Sequence, residues 1–271
     1  MEYLARMPRF AGAATLTTLV LLFGAPTPPR LSAQVPDSTR SAAIPRERAI
    51  KVWQAGAALA GIAAVSLADK SLQRYIVEHR TPGEQDVAGQ WQKWGEGTIP
   101  VAITLGTLGT GLVLQKPEVT RTGGRLATSL VVVTLIGRGM KKALGRARPS
   151  EGSDQYVFDP FGTFNSFPSG HTITAFAIST TLADAVHNKW ADVGFYTLAA
   201  GTGASRLIGN HHWLSDVVGG AVFGTAVAKV VDGQWTIFGI HSPELLTGPR
   251  SMGLRWTVDL PVLRGVPAAG K

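Results

Sequence analysis

The chain carries six apolar stretches of helix length, and they constrain its fold more than any other feature. Each is rich in Ala, Leu, Val and Gly and lacks the polar–apolar alternation that is typical of a half-buried strand. Charged residues and prolines separate the stretches, as at 116–117 and 148–149, where helices are expected to end. The sequence therefore predicts an all-α six-helix bundle, with helices in blocks 52–68, 98–115, 126–140, 170–187, 192–207 and 216–231.

The surroundings of this bundle are either a membrane or water. Charged residues make up 16% of the chain, whereas an average soluble protein has roughly 25%. The uncharged segment 97–115 approaches the ~20 residues that a membrane-spanning helix needs. Arg138, Asp184 and Asp192 interrupt or flank other blocks, and the buried helices of a soluble domain would show the same pattern. We predict a membrane-embedded bundle and keep a soluble periplasmic bundle as the alternative.

The first 48 residues differ from the apolar middle of the chain. Residues 1–33 have the features of an export signal, with a basic start at Arg6 and Arg9, an apolar stretch over 11–23 and a small-residue cleavage site. A membrane anchor that is never cleaved is the alternative. Residues 34–48 are polar, contain two prolines and are predicted to be a linker.

The C-terminal segment is predicted to be a short tail. Apolar residues alternate there with polar ones, which predicts a β-strand, at Leu254, Trp256, Val258 and Leu260. The predicted organisation is a signal peptide at 1–33, a linker at 34–48, a helical domain at 49–232 and a tail at 233–271.

Composition excludes several classes of protein. The chain has no cysteine, which rules out disulfide scaffolds, zinc fingers, iron–sulfur clusters and thiol nucleophiles. Its net charge of +8 favours anionic partners such as phosphate esters, lipid headgroups or nucleic acid. The basic run at 138–148 is too short for a nucleic-acid stripe, so we predict no nucleic-acid partner. We expect Arg138, Lys142 and Arg146 to lie at the membrane surface or in solvent.

The first polar segment whose side chains could take part in a reaction lies at the end of the third block. Lys141 and Arg148 are seven residues apart, nearly two helical turns, so one helix would carry both cations on one face, with Pro149 ending it just beyond. A basic helix end by itself is also typical of dipole compensation or of an inner-leaflet anchor.

The second polar segment, Phe167-Pro168-Ser169-Gly170-His171, precedes the fourth block. Ser169 and Gly170 suit the N-cap of a helix starting near Thr172, and the free N–H groups of a helix start bind anions. An ordinary cap with an incidental histidine is the alternative.

The third polar segment, 205–216, joins the fifth and sixth blocks. His212 and Asp216 are four residues apart, so the carboxylate can bind one imidazole nitrogen and leave the other free as a nucleophile or base. A metal site is the competing interpretation. No second cluster of carboxylates and histidines is present to complete a coordination sphere, so we predict none.

Together the three segments supply cations, an anion-binding helix start, two histidines and an orienting carboxylate, which suit phosphoryl transfer without a metal. They match, in order and spacing, the three-part signature of the type 2 phosphatidic acid phosphatase and vanadium haloperoxidase superfamily. The matching residues are Lys141-x6-Arg148-Pro149, Pro168-Ser169-Gly170-His171 and Ser205-Arg206-x5-His212-x3-Asp216. The chain resembles this superfamily over about 50–232, and the resemblance implies a bundle of the acid phosphatase/haloperoxidase type.

The resemblance implies a role for each signature residue. His212 would be the nucleophile that forms a phosphohistidine, Asp216 would orient it, and His171 would protonate the leaving group and then activate water. No cofactor would be needed. His211 falls one position off the signature and is expected at the rim. The phosphate oxygens would be bound by Lys141, Arg148, Ser169, Gly170 and Arg206.

The substrate depends on the surroundings of the bundle. A membrane-embedded bundle favours lipid phosphates or pyrophosphates, of the phosphatidic acid or polyprenyl pyrophosphate type, at an inner membrane with the site facing the periplasm. A soluble bundle resembles nonspecific acid phosphatases that act on small phosphate esters. A vanadate-dependent haloperoxidase is the alternative from another enzyme class, although the short separation of 19 positions from Pro149 to Pro168 favours compact phosphatases. A structural protein with an inactive site is a further alternative. The sequence gives no oligomeric state.

Overall fold

The structure, a computed structural model, describes residues 48–152, 154–238, 241–242, 244–248 and 251–255. The predicted export signal at 1–33 and residues 34–47 of the predicted linker lie outside the described residues. The described helices are α1 (Val52–Val65), α2 (Asp69–His79), α3 (Pro82–Trp91), α4 (Thr98–Val113), α5 (Pro117–Leu144), α6 (Gly170–Val186), α7 (Lys189–Ile208) and α8 (Leu214–Val231). The described strands are β1 (Arg48–Ile50), β2 (Trp235–Ile237), β3 (Glu244–Gly248) and β4 (Ser251–Arg255).

All six apolar blocks are helical, which confirms the predicted all-α bundle. The first block forms α1 and a 3₁₀ turn, and the other five form α4 to α8. The helices α2 and α3 occupy a polar segment between the first two blocks, where the apolar pattern predicts only a connector. A capping box starts α3: Thr81 Oγ1 accepts a hydrogen bond from the Glu84 N–H (3.2 Å), and Glu84 Oε2 accepts one from the Thr81 N–H (2.7 Å).

The end of α5 corrects one prediction. The helix stops at Leu144, not near Pro149, because Gly145 adopts the left-handed conformation with φ of 55°. A side chain at Gly145 would collide with the carbonyl oxygen of Asp159. Lys141 therefore lies on the helix, whereas Arg148 lies on the loop after it.

The helix α6 is the centre of the bundle and packs against α5, α7 and α8. Its Ile173 and Ala177 form a buried apolar cluster with Val133 of α5. Gly224 of α8 faces the α6 backbone, where a Cβ would collide with the Ile173 carbonyl oxygen. The close approach of α6 and α8 brings the two helix starts to the same end of the bundle.

Among the residues that the structure describes, two helical segments are long and apolar enough to cross a membrane, namely 52–79 and Leu214–Val231. The segment 97–115, on which the membrane prediction rests, forms a helix of only 16 residues. Many apolar side chains of α1 are exposed, among them Val52 at 72% and Trp53 at 67%. Large exposed apolar surfaces mark contacts with membranes or other proteins.

The strands lie at the ends of the described chain. β1 pairs in parallel with β2, which joins the entry to α1 with the exit from α8. β3 and β4 form an antiparallel pair in which Leu245 is opposite Leu254. The predicted C-terminal strand thus includes Leu254, while its other apolar positions, Trp256, Val258 and Leu260, lie outside the described residues. The predicted domain boundaries remain predictions.

Candidate active site

The three signature segments meet at one end of the bundle. The Ser169 N–H, before α6, donates a hydrogen bond to the main-chain oxygen of Asp216 in the first turn of α8 (3.0 Å). A Cβ placed on Gly170 would lie 3.9 Å from Cε of Lys141, which arrives from the last turn of α5. Residues from three distant parts of the sequence therefore line one site.

His212 and Asp216 form the buried centre of this site. His212 Nδ1 lies 3.5 Å from Asp216 Oδ2, and the two side chains are 2% and 0% exposed. Asp216 Oδ2 also accepts hydrogen bonds from Ser166 Oγ (2.5 Å) and from the Trp213 N–H (2.9 Å). Ser166 Oγ in turn lies 3.4 Å from His212 Nδ1. With Nδ1 facing these acceptors, Nε2 is the imidazole nitrogen on the other side of the ring.

The second oxygen of Asp216 contacts Arg146, a residue that the sequence predicts to be exposed. Arg146 Nη1 donates to Asp216 Oδ1 (2.8 Å), and Arg146 Nη2 donates to Asp69 Oδ2 (2.7 Å). The prediction that Arg146 lies at a membrane surface or in solvent is wrong, because its side chain is 4% exposed. The turn at Gly145 ends α5 before Arg146, which is then buried between two carboxylates.

Lys141 and Arg148 converge on the loop that precedes α6. Lys141 Nζ donates to the carbonyl oxygens of Asn165 and Ser166, the latter at 3.3 Å. Arg148 Nε donates to Asn165 Oδ1 (3.0 Å). Both cations thus reach the same loop although only Lys141 lies on a helix.

Arg206 approaches the site from the last turn of α7. Its Nη1 donates to Gln92 Oε1, and its Nε is buried without a hydrogen-bond partner in the part of the chain that the structure describes. A buried donor without an acceptor is costly in a resting protein. The Nε–H of Arg206 is therefore a donor whose hydrogen-bonding capacity is unused.

Ser169, Gly170 and His171 form the start of α6. The helix begins at Gly170, two residues before the predicted start, with Ser169 at the N-cap. The Ser169 side chain makes no capping bond, and its Oγ accepts a hydrogen bond from Thr172 Oγ1 (2.9 Å). His171 is half-buried, and burial lowers the pKa of its imidazole to about 4, with further lowering by the charges of Arg206, His211, Arg148 and Lys141.

The loop histidines are held in their neutral form. Burial lowers the pKa of His212 to about 4, against the opposing effects of the hydrogen bond and charge of Asp216, and the Lys141 and Arg148 charges lower it further. Burial also lowers the pKa of His211, as do the charges of Arg206, Arg148 and Arg80. At neutral pH the imidazole of His212 consequently keeps a free lone pair.

Asp69, Arg146 and Ser166 belong to the site but were not predicted from the sequence. Asp69 contacts Ser215, a residue 146 positions further along the chain, and no local pattern signals such a pair. Ser166 lies three residues before Ser169, so a longer second segment would have included it. Within the described ranges, no group of three or more His, Asp or Glu side chains is arranged as a metal site.

Residues 122–236 match the family model of the PAP2 superfamily. Over this segment the chain is similar to the PAP2 superfamily. The resemblance identified from the three signature segments is thereby confirmed, and the PAP2 segment contains all eight residues that were predicted for the site.

Two curated relatives carry the same protein name. The lipid A 1-phosphatase of Porphyromonas gingivalis is 39% identical over 120 residues, which cover 42% of this chain and 24% of the relative. The lipid A 1-phosphatase of Rhizobium etli is 36% identical over 107 residues, which cover 38% of this chain and 45% of the relative. The chain thus spans less than half the length of each of these relatives.

A solved structure shares the PAP2 fold. It is described as the first transmembrane PAP2 type phosphatidylglycerolphosphate phosphatase from Bacillus subtilis, and it superposes with a TM-score of 0.53 at 20% sequence identity. The superposition covers 66% of this chain and 94% of that chain. The likeness supports the helical architecture described above.

Proposed function

We propose that this chain is a metal-independent phosphatase that hydrolyses phosphorylated lipids through a phosphohistidine intermediate. The observation that carries the proposal is the buried pair of His212 and Asp216, with Nδ1 facing the carboxylate and three cations around the site. A neutral imidazole oriented by a carboxylate is an activated nucleophile.

The first chemical step would take place at His212 Nε2. This nitrogen attacks phosphorus while the bond between phosphorus and the leaving oxygen breaks. Asp216 accepts the Nδ1–H hydrogen bond and stabilises the positive charge that develops on the ring. His171 gives its proton to the leaving oxygen. The negative charge of the bound phosphate offsets the surrounding cations and favours the protonated form of His171.

The second step would release inorganic phosphate. His171, now neutral, takes a proton from water as the water oxygen forms a bond to phosphorus and the bond between phosphorus and Nε2 breaks. His212 returns to its neutral form and His171 to its protonated form, so the proton balance closes over one turnover.

The phosphate oxygens would be held by the groups around the start of α6. Lys141, Arg148 and Arg206 would neutralise the phosphate, with the free Nε–H of Arg206 as one donor. The Ser169 hydroxyl and the Gly170 N–H would complete the cradle, since the N–H groups at the start of a helix have no partner within the helix.

Two observations support a lipid substrate. The apolar exposed surface of α1 and the two span-length segments fit a bundle embedded in a membrane. The relatives named lipid A 1-phosphatase suggest a lipid phosphate as the substrate class. We propose phosphatidic acid, a polyprenyl pyrophosphate or a lipid A 1-phosphate as the compounds to test, at an inner membrane with the site facing the periplasm.

The deciding experiment measures phosphate release by the full chain in detergent micelles, in the presence of EDTA. Wild-type protein is expected to hydrolyse at least one of these lipids, and His212→Ala is expected to lower kcat by at least about 1000-fold, as removal of a nucleophile does. The control His187→Asn changes an exposed histidine at the far end of α6 in the left-handed conformation, which asparagine tolerates. Retained turnover in His212→Ala would reject the nucleophile.

Two parallel assays test the alternatives. Halide oxidation with added vanadate, in the absence of phosphate release, would favour a haloperoxidase. Extraction of the protein from membranes by alkaline carbonate, with activity on p-nitrophenyl phosphate but on none of the lipids, would favour a soluble acid phosphatase. Retention in the carbonate pellet with lipid hydrolysis is the result expected from the proposal.

A further inference from the structure

Asp69 is a buried carboxylate outside the segment that matches the PAP2 superfamily. It is the first residue of α2 and is fully buried. Its Oδ1 accepts a hydrogen bond from the Ser215 N–H (2.8 Å). Its Oδ2 accepts hydrogen bonds from Ser215 Oγ (2.6 Å) and from Arg146 Nη2 (2.7 Å). Asp69 therefore binds the start of α8 and the guanidinium that contacts Asp216.

Arg146 joins the two carboxylates. Its Nη1 donates to Asp216 Oδ1 and to Ser215 Oγ, at 2.8 and 2.7 Å. Its Nε and Nη2 donate to the carbonyl oxygen of Gln155, at 3.0 and 2.8 Å. The planar fork of an arginine makes such a bridge, whereas the single ammonium group of a lysine cannot direct donors to both sides at fixed geometry.

The charges of this cluster do not cancel. Asp69 and Asp216 carry two negative charges and Arg146 carries one positive charge, so the buried group has a net charge of −1. Asp69 and His212 line one small cavity between α2 and the loop before α8. A net negative charge beside His212 stabilises the positive charge that the imidazole acquires when Nε2 bonds to phosphorus.

Without Asp69, Arg146 would neutralise Asp216. The carboxylate that orients His212 would then be fully compensated by the guanidinium, and its stabilisation of a cationic imidazole would be weaker. The bridging geometry would also be held less firmly, because Arg146 Nη2 would lose one of its two acceptors and keep only the Gln155 carbonyl oxygen.

We propose that Asp69 is a positioning residue for the His212–Asp216 pair. Asp69 fixes Arg146 in its bridging geometry, and it leaves the cluster with the negative charge that stabilises the phosphorylated histidine. The inference rests on the proposed function. It extends the catalytic apparatus to α2, which no signature segment contains.

The first test compares Asp69→Asn with Lys70→Gln in the full chain in detergent. Lys70 is the next residue on α2 and forms only an exposed ion pair through its side chain, with Asp154 (2.5 Å). Asp69→Asn is expected to lower kcat on the order of 10- to 100-fold, the size of effect seen when a group that orients a metal-ligating side chain is lost. KM is expected to stay within about 3-fold, because the phosphate-binding cations are untouched. Asp69→Glu, which restores the charge, should recover part of kcat. A kcat for Asp69→Asn equal to that of Lys70→Gln would overturn the proposal.

The second test follows the titration of His212 by NMR of ¹⁵N-labelled histidine, assigned with His212→Asn. The charged groups facing His212 are Lys141, Arg148, Asp216 and the Asp69–Arg146 pair. Loss of the Asp69 charge should move the His212 midpoint further below its wild-type value. A structural loosening would admit water and move the midpoint up toward 6.5, which would overturn the proposal.

Arg146→Lys keeps all charges and removes the bridge, so it remains informative if Asp69→Asn does not fold. Its kcat should fall although the cluster charge is unchanged, and full activity would reject the bridging role. The NMR titration needs no turnover. An inactive wild-type protein would reject the proposed function, whereas a wild-type His212 midpoint in Asp69→Asn would reject the role of Asp69.

Discussion

Ser166 Oγ donates a 2.5 Å hydrogen bond to Asp216 Oδ2 inside the candidate active site. Both side chains are fully buried, so no water replaces the bond if the hydroxyl is removed. The pairing joins the loop before α6 to the first turn of α8, and it fixes the oxygen that also faces His212 Nδ1.

Ser166→Ala should therefore lower both stability and activity. Loss of one donor to a buried carboxylate is expected to cost about 1–3 kcal/mol of unfolding free energy, and kcat should fall because Asp216 is less firmly held. Chemical denaturation and phosphate release measure the two effects. Ser150→Ala, at an exposed position, serves as the control. Equal unfolding free energies for the two variants would contradict the assigned hydrogen bond.

The pH dependence of kcat/KM should reflect the neutral form of His212. Since burial lowers its pKa to about 4, the nucleophile stays unprotonated down to that pH, and the acidic limb of the kcat/KM profile should lie near pH 4. In the unfolded chain a histidine titrates near 6.5. The unfolded state thus binds more protons between these values, and this group lowers folding stability as the pH falls from 6.5 to about 4. A loss of kcat/KM centred near 6.5 would be inconsistent with the burial of His212.

His171→Ala should distinguish substrates by their leaving groups. A general acid matters most when the leaving oxygen is strongly basic, so hydrolysis of a lipid phosphate should slow much more than hydrolysis of p-nitrophenyl phosphate. Steady-state kcat on the two substrates gives the comparison within one protein preparation. Equal losses on both would remove His171 from the role of general acid.

Gly224→Val should separate α8 from α6. The added side chain would meet the Ile173 carbonyl oxygen and the Ala177 nitrogen of α6, and such overpacking costs typically about 1–3 kcal/mol. Because each helix start carries part of the site, activity should fall together with Tm. Gly61→Ala on α1 is the control, since a Cβ there has nothing within 4 Å and alanine favours helix. An unchanged Tm in Gly224→Val would refute the close packing of the two helices.

The sequence is sufficient to predict the helices that form the bundle and the segments that meet at the site. Long apolar blocks can only be buried as helices here, and the spacing within each polar segment is local information. The end of α5 is predicted less well, although Gly145 is a visible signal for a helix end. The proline at 149 could also end a helix, but the structure shows that α5 ends earlier, at the turn made by Gly145.

The partners of Arg146 are beyond prediction from the sequence. Asp69 lies 77 positions away, and it meets Arg146 because α2 and the loop after α5 both contact the start of α8. A basic residue among other basic residues is usually solvated, so its burial has no sequence signal. The helix α3 is a different case, because Thr81 and Glu84 are a recognisable capping box that the apolar pattern obscures.

The parallel pairing of β1 with β2 places the chain's entry to α1 beside its exit from α8. It holds Arg48 beside Trp235, just past the last turn of α8, whereas Asp216 lies in the first turn of the same helix. The 18 residues of α8 rise about 1.5 Å each, so roughly 27 Å separate the strand pair from the reaction centre. If the bundle crosses a bilayer along α8, the strand pair lies at the face opposite the reaction centre.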